Sequence, residues 1–307
     1  MQKWNRKFTL EIEVPPSAQS PLGFLAPVQT LTLASPLTVE FSIDRRMNTH
    51  LNTASFKLYN LSRAHREQIF KDFNNPSSTQ AIRFSAGYAP DTDATTQLPV
   101  IFNGTWTYAA SVRDRSDWIT EIEAMEGVES AATSFTAKTV APGLDLKTII
   151  TGLASSMKGI TGTAIGDIFA TPPQRGQVLF GNTYELINQY TRGQCSIQGG
   201  VLVVLGQGQS LAPIVTRIDS DTGLLGTPRR AEMYMEVETL FEPRLIPGQA
   251  VDLFSTTAPQ YNGTYQIYGL THTGVISDSV AGDLRTSLRL LYGISEIKNN
   301  NVPVASL

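Results

Sequence analysis

Short runs in which apolar and polar residues alternate dominate the chain and predict a mainly β protein. KFTLEIEV (7–14) alternates in this way, and TLTLASPLTVEFSID (30–44) resumes the pattern. Such runs are rich in Thr, Val, Phe and Tyr and are bounded by Gly, Pro, Asn or Asp, as half-buried strands are. The Pro-rich segment 15–27 between them cannot be a central strand, because proline has no amide hydrogen for a ladder.

The middle of the chain has a helical period instead. LDLKTIITGLASSM (144–157) places its apolar residues on one helical face, and Asp145 is positioned to cap the start of that helix. In GNTYELINQY, Asn182 is a predicted N-cap with Glu185 three residues later, which resembles a capping box. CSIQGGVLVVLG (195–206) is typical of a hairpin around two glycines. Together these segments predict a small α/β unit.

Two β-rich segments resemble each other, one on each side of this unit. Residues 103–127 and 262–293 both open with Asn-Gly-Thr and an aromatic residue, and both run through a strand, a polar loop and a second strand to a glycine. Asn103-Gly104 and Asn262-Gly263 are also pairs that a tight type I′ hairpin turn uses. A duplicated β-barrel and two independent hairpins both explain the match. The strand, polar loop and second strand that follow in both segments favour duplication.

The predicted fold class is therefore mainly β with an α+β insertion: two related β-barrel domains and a small α/β middle domain. The first barrel is predicted at 1–133, with one short helix near 63–72. The α/β connecting domain follows at 134–226, the second barrel at 227–293 and a C-terminal tail at 294–307. The segments 14–27 and 294–307 lack a core pattern, so we expect them to become ordered on assembly.

NTASFKLYNLSRAHREQIF (52–70) reads as a strand that turns into a helix through Ser62, with His65 close behind. A catalytic nucleophile elbow needs G-x-S-x-G around its serine, and the residues here are larger. We therefore predict that Ser62 is an N-cap and that His65 is exposed. Ile69, Phe70 and Phe73 then form the apolar face of the helix.

No other motif specifies catalysis, a metal site or a cofactor. The three histidines lie far apart, and the chain has one cysteine, Cys195. His272 is interpreted as a surface histidine, with a barrel rim or subunit contact as the alternative. The sequence 201–210 has Gly-x-Gly after a strand but no helix behind it, so it is not a phosphate loop. Glu121, Glu123 and Glu126 are interpreted as the solvent face of a strand, which leaves a glycosidase carboxylate pair open.

Composition narrows the function further. The chain has 307 residues, 17% of them charged, and a net charge of −3, so no basic field attracts nucleic acid. Its single cysteine cannot form an intrachain disulfide, which suits assembly in a reducing compartment. The N-terminus lacks the apolar core of a signal peptide, and no stretch reaches the length of a membrane span. Synthesis in a cytoplasm is expected.

These residues resemble those of bacteriophage tail baseplate hub proteins, trimeric rings that join a tail tube to its central spike. Three stretches carry the resemblance: NTASFKLYNLSRAHREQI, FSAGYAPDTDATTQLPVIFNGTW, and the C-terminal series TGLLGTPRR, VETLFEPRLIPGQAVDLFS and YNGTYQIYGLTHTG. The resemblance covers roughly residues 7 to 293, and its motifs mark a structural family, not an invariant site.

The resemblance implies a structural, non-enzymatic virion protein in the tail baseplate, synthesised and assembled in the bacterial host cytoplasm. Three chains with two tube-like barrels each would act as a symmetry adaptor between a six-fold tube above and a trimeric spike below. Tape measure and baseplate wedge proteins would be further neighbours, and DNA would pass through the lumen without sequence-specific binding.

Three rivals remain at this point. A distal tail ring protein usually has one barrel with an appended module. A receptor- or carbohydrate-binding tail protein would display exposed aromatic residues in loops, whereas Trp106 and Trp118 fall in or beside strands. A cell-wall glycan hydrolase is the weakest of the three.

Overall fold

The computed structural model describes residues 5–14, 28–70, 80–88, 98–168, 170–206, 208–278, 282–291 and 301–306. Strands account for 53% of the structure and helices for 14%, which confirms a mostly β fold with a few helices. The Pro-rich segment 15–27 and Phe73 lie outside the described residues.

Twenty strands are described. They are β1 (Arg6–Val14), β2 (Gln29–Ala34), β3 (Val39–Arg46), β4 (Thr53–Tyr59), β5 (Ala81–Tyr88), β6 (Val100–Asp114), β7 (Asp117–Met125), β8 (Phe135–Val140), β9 (Gly162–Ile165), β10 (Gln177–Asn182), β11 (Cys195–Gln198), β12 (Val201–Val204), β13 (Ser210–Ile218), β14 (Leu224–Arg230), β15 (Tyr234–Leu240), β16 (Gln249–Leu253), β17 (Gly263–Ile276), β18 (Leu284–Leu291), β19 (Asn301–Val302) and β20 (Ala305–Ser306). The α-helices are α1 (Arg63–Ile69), α2 (Val128–Thr133), α3 (Leu146–Ala154) and α4 (Thr183–Thr191), and a short 3-10 helix spans Pro259–Tyr261.

Fourteen strands form one large sheet with two topologically equivalent halves. The path runs β14-β15-β18-β17-β3-β4-β7-β6-β5-β1-β2, and β13, β16 and β19 branch from it. Within the path, β3-β4-β7-β6-β5 forms unit 1, and β14-β15-β18-β17, extended by β16, forms unit 2. Each unit has five strands. In both units the strand order across the sheet is the first, second, fifth, fourth and third strand in sequence.

One ladder of unit 1 agrees residue by residue with its counterpart in unit 2. In unit 1, β4 and β7 pair from Thr53↔Met125 onward through seven consecutive pairs. In unit 2, β15 and β18 pair through seven pairs from Tyr234↔Leu291. The same order with the same pairing length is what duplication of one β unit would leave.

A bulge occurs at the equivalent place in both units. The β6–β7 ladder skips one residue between Trp106 and Tyr108, and the β17–β18 ladder skips one between Ile267 and Gly269. A bulge bends a strand and increases its twist, and bulge positions are generally kept when a β unit is duplicated or diverges. Trp106 is therefore the structural equivalent of Ile267.

This register differs from the sequence match in the Asn-Gly-Thr segments, which aligned Trp106 with Tyr265. Neither Asn-Gly pair forms a hairpin turn. Asn103 and Gly104 lie inside β6, opposite Arg83 and Ile82 of β5.

The two Asn-Gly pairs have different structural roles. A Cβ at Gly104 would lie 2.5 Å from the carbonyl oxygen of Met125, so glycine permits the close approach of β6 and β7. Asn262 ends the 3-10 helix and accepts a hydrogen bond from the Ser255 amide at 2.7 Å, and Gly263 begins β17 at φ 154°.

The core of unit 1 is aromatic and lies inside a strongly curled sheet. Phe84 of β5 packs 5.0 Å from Phe41 of β3 and 4.9 Å from Phe56 of β4, although β3 and β5 are four places apart in the strand order. Trp106 is fully buried in the same core, and its indole donates a hydrogen bond to the Glu13 carbonyl at 3.0 Å. Unit 2 has a mainly aliphatic core of its own.

The middle of the chain folds as predicted in its main elements. All five apolar residues of the α3 pattern are buried, namely Leu146, Ile149, Ile150, Leu153 and Met157. β11 and β12 form a hairpin whose two turn residues, Gly199 and Gly200, have φ of 62° and 81°. Asp145 stands at the N-cap of α3, but its side chain makes no capping hydrogen bond.

The end of the chain differs from its expected lack of structure. β19 pairs with β13, β20 pairs with β9, and Val302 is buried. Residues 301–306 are therefore built into two sheets. The domain limits 1–133, 134–226, 227–293 and 294–307 stay predictions. β13 falls within the predicted middle range and β14 crosses its limit at 226/227, and the two strands pair with β16 and β15 of unit 2.

Candidate functional site: the joint between the two units

Strand β17 belongs to both units. Its first part, Gly263–Gln266, pairs with β16, and Gly269–Ile276 then pairs antiparallel with β3 of unit 1 through eight residue pairs. β18 runs along its other side. The two units are therefore joined by a hydrogen-bonded ladder, which fixes their relative orientation more firmly than a flexible linker would.

His272 lies at the centre of this joint. It pairs with Ile43 of β3, and its Nδ1 lies 2.9 Å from the Thr286 hydroxyl. It is fully buried, with its ring 5.3 Å from that of Phe241, so the surface interpretation was wrong. Burial, followed by the positive charge of Arg45, lowers the pKa of His272 to about 3. The side chain is neutral at physiological pH and acts as a packing element.

Glu126 anchors a buried polar cluster beside the joint. Asn52 Nδ2 donates to Glu126 Oε2 at 2.6 Å, and the Gly199 amide donates to Glu126 Oε1. Asn52 Nδ2 also contacts the Ile197 carbonyl oxygen at 2.9 Å. Glu121 and Glu123 are exposed as predicted, but Glu126 continues the buried side of Ile122 and Ala124 and is 2% exposed, so its interpretation as solvent-facing was wrong. The cluster holds the β11–β12 hairpin against unit 1.

Arg45 connects this cluster to a cleft of about 480 Å³ between unit 1 and the hairpin. Its side chain is 6% exposed, and its Nε is 4.0 Å from Glu126 Oε2. Its Nη1 donates a long hydrogen bond to the Ile101 carbonyl at 3.4 Å. Removing either charge would leave the other buried without its partner. We interpret the pair as part of the joint.

Two of the strand edges without a partner in the described part of the chain lie at equivalent places beside the joint. β14 pairs with β15 alone, and the other edge of β14 is open. β6 pairs with β5 only as far as Thr105, and beyond that residue it pairs with β7 alone. Open edges of this kind are templates for pairing with another chain.

The residues predicted to have structural roles at helix starts are not part of the β17–β3 ladder. Ser62 Oγ accepts a hydrogen bond from the His65 amide at 3.2 Å at the start of α1, and His65 is partly buried. Asn182 Oδ1 accepts from the Glu185 amide at 3.1 Å at the start of α4, while its Nδ2 donates to the Ala131 carbonyl at 2.6 Å. These side chains satisfy helix-terminal amides, which would otherwise lack partners.

Helix α1 ends at Ile69, earlier than the predicted residue 72. Ile69 is buried, whereas Phe70 is 65% exposed. The Arg66 guanidinium stacks 3.7 Å from the ring centre of Trp118, which is half-buried. Exposed aromatic residues also occur on β8 and β10, where the Phe135 and Phe180 rings meet edge to face at 5.0 Å. These two lie on strands, not in loops.

Among the described residues, no group of three or more His, Cys, Asp and Glu side chains could hold a metal ion. No helix of the described structure combines the length and apolar character that crossing a membrane requires. Cys195 is buried, and this burial raises the pKa of its thiol.

The match to a known family covers most of the chain. A family model described as "Baseplate hub gp41" matches residues 22–277. The chain belongs to this baseplate hub family. It is therefore a structural protein of the bacteriophage tail, located in the virion baseplate. No curated protein matches its sequence at a significant level.

Solved structures resemble the hub-family chain over nearly its whole length. A tail protein from Neisseria meningitidis MC58 has a TM-score of 0.58 at 9% identity, with 96% of this chain and 99% of that chain covered. The prophage MuSo2 43 kDa tail protein from Shewanella oneidensis gives 0.57 at 8% identity, covering 96% and 98%. At these identities the likeness shows the fold alone.

A third resemblance extends beyond phages. The E. coli c3393 protein, described as a component of the type VI secretion system, has a TM-score of 0.53 at 9% identity, with 87% of this chain and 76% of that chain covered. Its description also reports structural similarity to the T4 bacteriophage tail proteins gp27 and gp5.

Proposed function

We propose that three copies of this chain form a ring that joins the six-fold tail tube above to the trimeric central spike below. The equivalence of units 1 and 2 carries this proposal. Two units with the same strand order, pairing length and bulge position let three chains present six similar surfaces while keeping true three-fold symmetry. The distal tail ring alternative, with one barrel, has no use for the second unit.

The ring would be passive toward DNA and toward the cell wall. The net charge of −3 leaves no basic field that would hold DNA in the lumen. We propose that DNA slides through without sequence-specific contacts, that the chain is not an enzyme, and that tape measure and wedge proteins are further neighbours. The exposed Phe135–Phe180 pair supports protein contacts more than carbohydrate binding, because it lies on a two-stranded ribbon.

Closure of each curled unit into a full barrel, and the division at 133/134, 226/227 and 293/294, belong to the same proposal. The separate cores of unit 1 and unit 2 support two barrel-like bodies. The core around α3 and α4 supports a distinct connecting body.

Mass measurement tests the ring. Sedimentation equilibrium or native mass spectrometry of the purified chain is expected to give three times the chain mass of 33.5 kDa. Only a 33.5 kDa species at the highest soluble concentration would contradict the trimer. An image of the tail tip then tests location: density for the ring between tube and spike is expected, and density outside the tail axis would contradict the role.

A further inference from the structure

Equivalent strands of the two units differ in how they are covered. In unit 2, β17 leaves β16 after Gln266 and pairs with β3 from Gly269 to Ile276. In unit 1, the equivalent strand β6 leaves β5 after Thr105, and its continuation has β7 on one side and no described strand on the other. β6 is therefore open at the place where β17 holds β3.

Unit 2 has a strand that corresponds to β3, and one edge of that strand is open in the described structure. β14 is the equivalent of β3, since each is the outer strand of its unit and precedes the next strand in a hairpin. β3 is covered by β17, whereas the corresponding edge of β14 is open in the described structure. Each chain thus has two open edges that could form a second joint, one on β6 of unit 1 and one on β14 of unit 2.

We propose that β14 of one chain pairs with the second half of β6 of a neighbouring copy and repeats the β17–β3 ladder between subunits. The proposal rests on the proposed ring and specifies its subunit interface. The contact is heterologous, because two different surfaces meet, and successive copies therefore close into a ring if the rotation allows it.

The known ladder fixes the register of the new one. Thr273 pairs with Ser42 across the joint. The bulge register makes Val112 the equivalent of Thr273, because Thr273 and Val112 lie four residues beyond Gly269 and Tyr108. In the proposed ladder, Val112 of one chain therefore pairs with the residue of the neighbouring chain that is equivalent to Ser42.

That equivalent is Arg229. Ser42 pairs with Ser55 of β4, the equivalent residue of β15 is Glu236, and Glu236 pairs with Arg229. The same transfer from the His272–Ile43 pair places Ser111 opposite Arg230, on the same side of the register shift that β14 has between Leu225 and Arg229.

The exposed chemistry of the two edges supports this pairing. Val112 is 58% exposed, a β-branched side chain on an open edge that pairing would cover. β14 offers Arg229 and Arg230, and β7 beside β6 offers the exposed carboxylates of Glu121 and Glu123. Exposed Arg113 on β6 itself is a like charge at this edge, so the support comes from the exposed apolar Val112 and not from charge.

Cysteine cross-linking tests the interface. Residues directly opposite in an antiparallel ladder have Cβ atoms about 4.5–5.5 Å apart, close to the reach of a disulfide. We expect the full-length double variant Val112→Cys/Arg229→Cys, oxidised at assembling concentrations, to give covalent trimers on a non-reducing gel. The buried native Cys195 stays in place. Either single variant alone should stay monomeric on the gel, and their mixture should give dimers only.

A matched control uses the other terminal edge of the sheet. Thr32 is exposed on β2, which pairs with β1 alone in the described structure. Val112→Cys/Thr32→Cys is expected not to cross-link. Cross-linking of this pair in place of the first would overturn the assignment of β14.

Failure of the interface and failure of the ring give different results. A trimer by mass that shows no Val112–Arg229 cross-link, although the variant keeps its circular dichroism and melting temperature, overturns the interface and leaves the ring. A monomer by mass overturns both. If the first double variant does not fold, Ser111→Cys/Arg230→Cys tests the same register at the neighbouring pair, and absence of its cross-link in a trimer overturns the interface equally.

Discussion

Asn52 Nδ2 lies 2.6 Å from Glu126 Oε2, although 74 residues separate the two in sequence. The same amide nitrogen lies 3.1 Å from Gln198 Oε1, so one side chain touches unit 1 and the β11–β12 hairpin together. A buried polar cluster of this kind is costly when only part of it is satisfied. The docking of the middle of the chain therefore depends on a few polar atoms.

Replacing Glu126 by Gln tests that dependence. The amide cannot accept from both Asn52 and Gly199, and it leaves Arg45 buried without its counter-charge. We expect Glu126→Gln to lower the free energy of unfolding by about 2–4 kcal/mol, measured by urea titration. Glu121→Gln on the exposed face of β7 should change the free energy of unfolding by less than about 1 kcal/mol. Equal effects would contradict the role of the cluster.

Ser62→Ala should cost about 1 kcal/mol of stability, because α1 loses the acceptor for its His65 amide. Ser62→Asp keeps an acceptor at the N-cap and should retain most of the stability. Thermal unfolding followed by circular dichroism measures both. A loss in Ser62→Asp as large as that in Ser62→Ala would show that capping is not the cause.

Two glycines should respond to alanine with opposite signs. Gly104→Ala places a Cβ against the Met125 carbonyl and should destabilise the protein by about 1–3 kcal/mol. Gly152 lies in α3 with open space around the new Cβ, so Gly152→Ala should stabilise by about 0.5–1 kcal/mol. Denaturant midpoints of the two variants give the test, and changes of the same sign would refute the strand-contact explanation for Gly104.

The burial of His272 predicts a pH effect. Its pKa is about 3 in the folded chain and about 6.5 when unfolded, so the unfolded state binds more protons between these values. Stability is expected to fall as pH falls below about 6.5, by up to about 1.4 kcal/mol per pH unit from this group. The groups that face the ring are the Thr286 hydroxyl, the Phe241 ring and the Arg45 cation.

His272→Gln separates this effect from the carboxylates that titrate in the same range. The variant should be less sensitive to pH than the natural chain between pH 6 and 4, whatever its stability at pH 7. Urea midpoints at four or five pH values measure the slope. Parallel slopes for the two proteins would exclude His272 as the source.

The sequence pattern predicted local structure well where one face of an element is buried. The apolar face of α3, the N-cap of α4 and the Gly199-Gly200 turn follow from residues within a few positions of each other. Alternation places Glu126 on the buried side of Ile122 and Ala124, but it could not predict the groups that meet its carboxylate, because they come from the loop before β4 and from the β11–β12 hairpin. His272 was misjudged for the same reason, since β3 covers it from more than 200 residues away.

The alignment of the two repeated segments could not be predicted correctly from sequence either. Matching letters aligned Trp106 with Tyr265, whereas the ladders align Trp106 with Ile267, two positions away. A shift of two keeps every side chain on its own face of the sheet, so alternation alone cannot detect it. The bulge position, which depends on pairing with the neighbouring strand, identifies the true register.

The shared strand β17 also sets an order of events during synthesis. β3 is complete at residue 46, but the strand that covers its edge ends at residue 276. At about 5–20 residues per second, that edge stays uncovered for roughly 10–50 s on the ribosome. Through this interval the nascent chain has an adhesive strand that other nascent copies could engage, so yield in the host should depend on translation speed and chaperone supply.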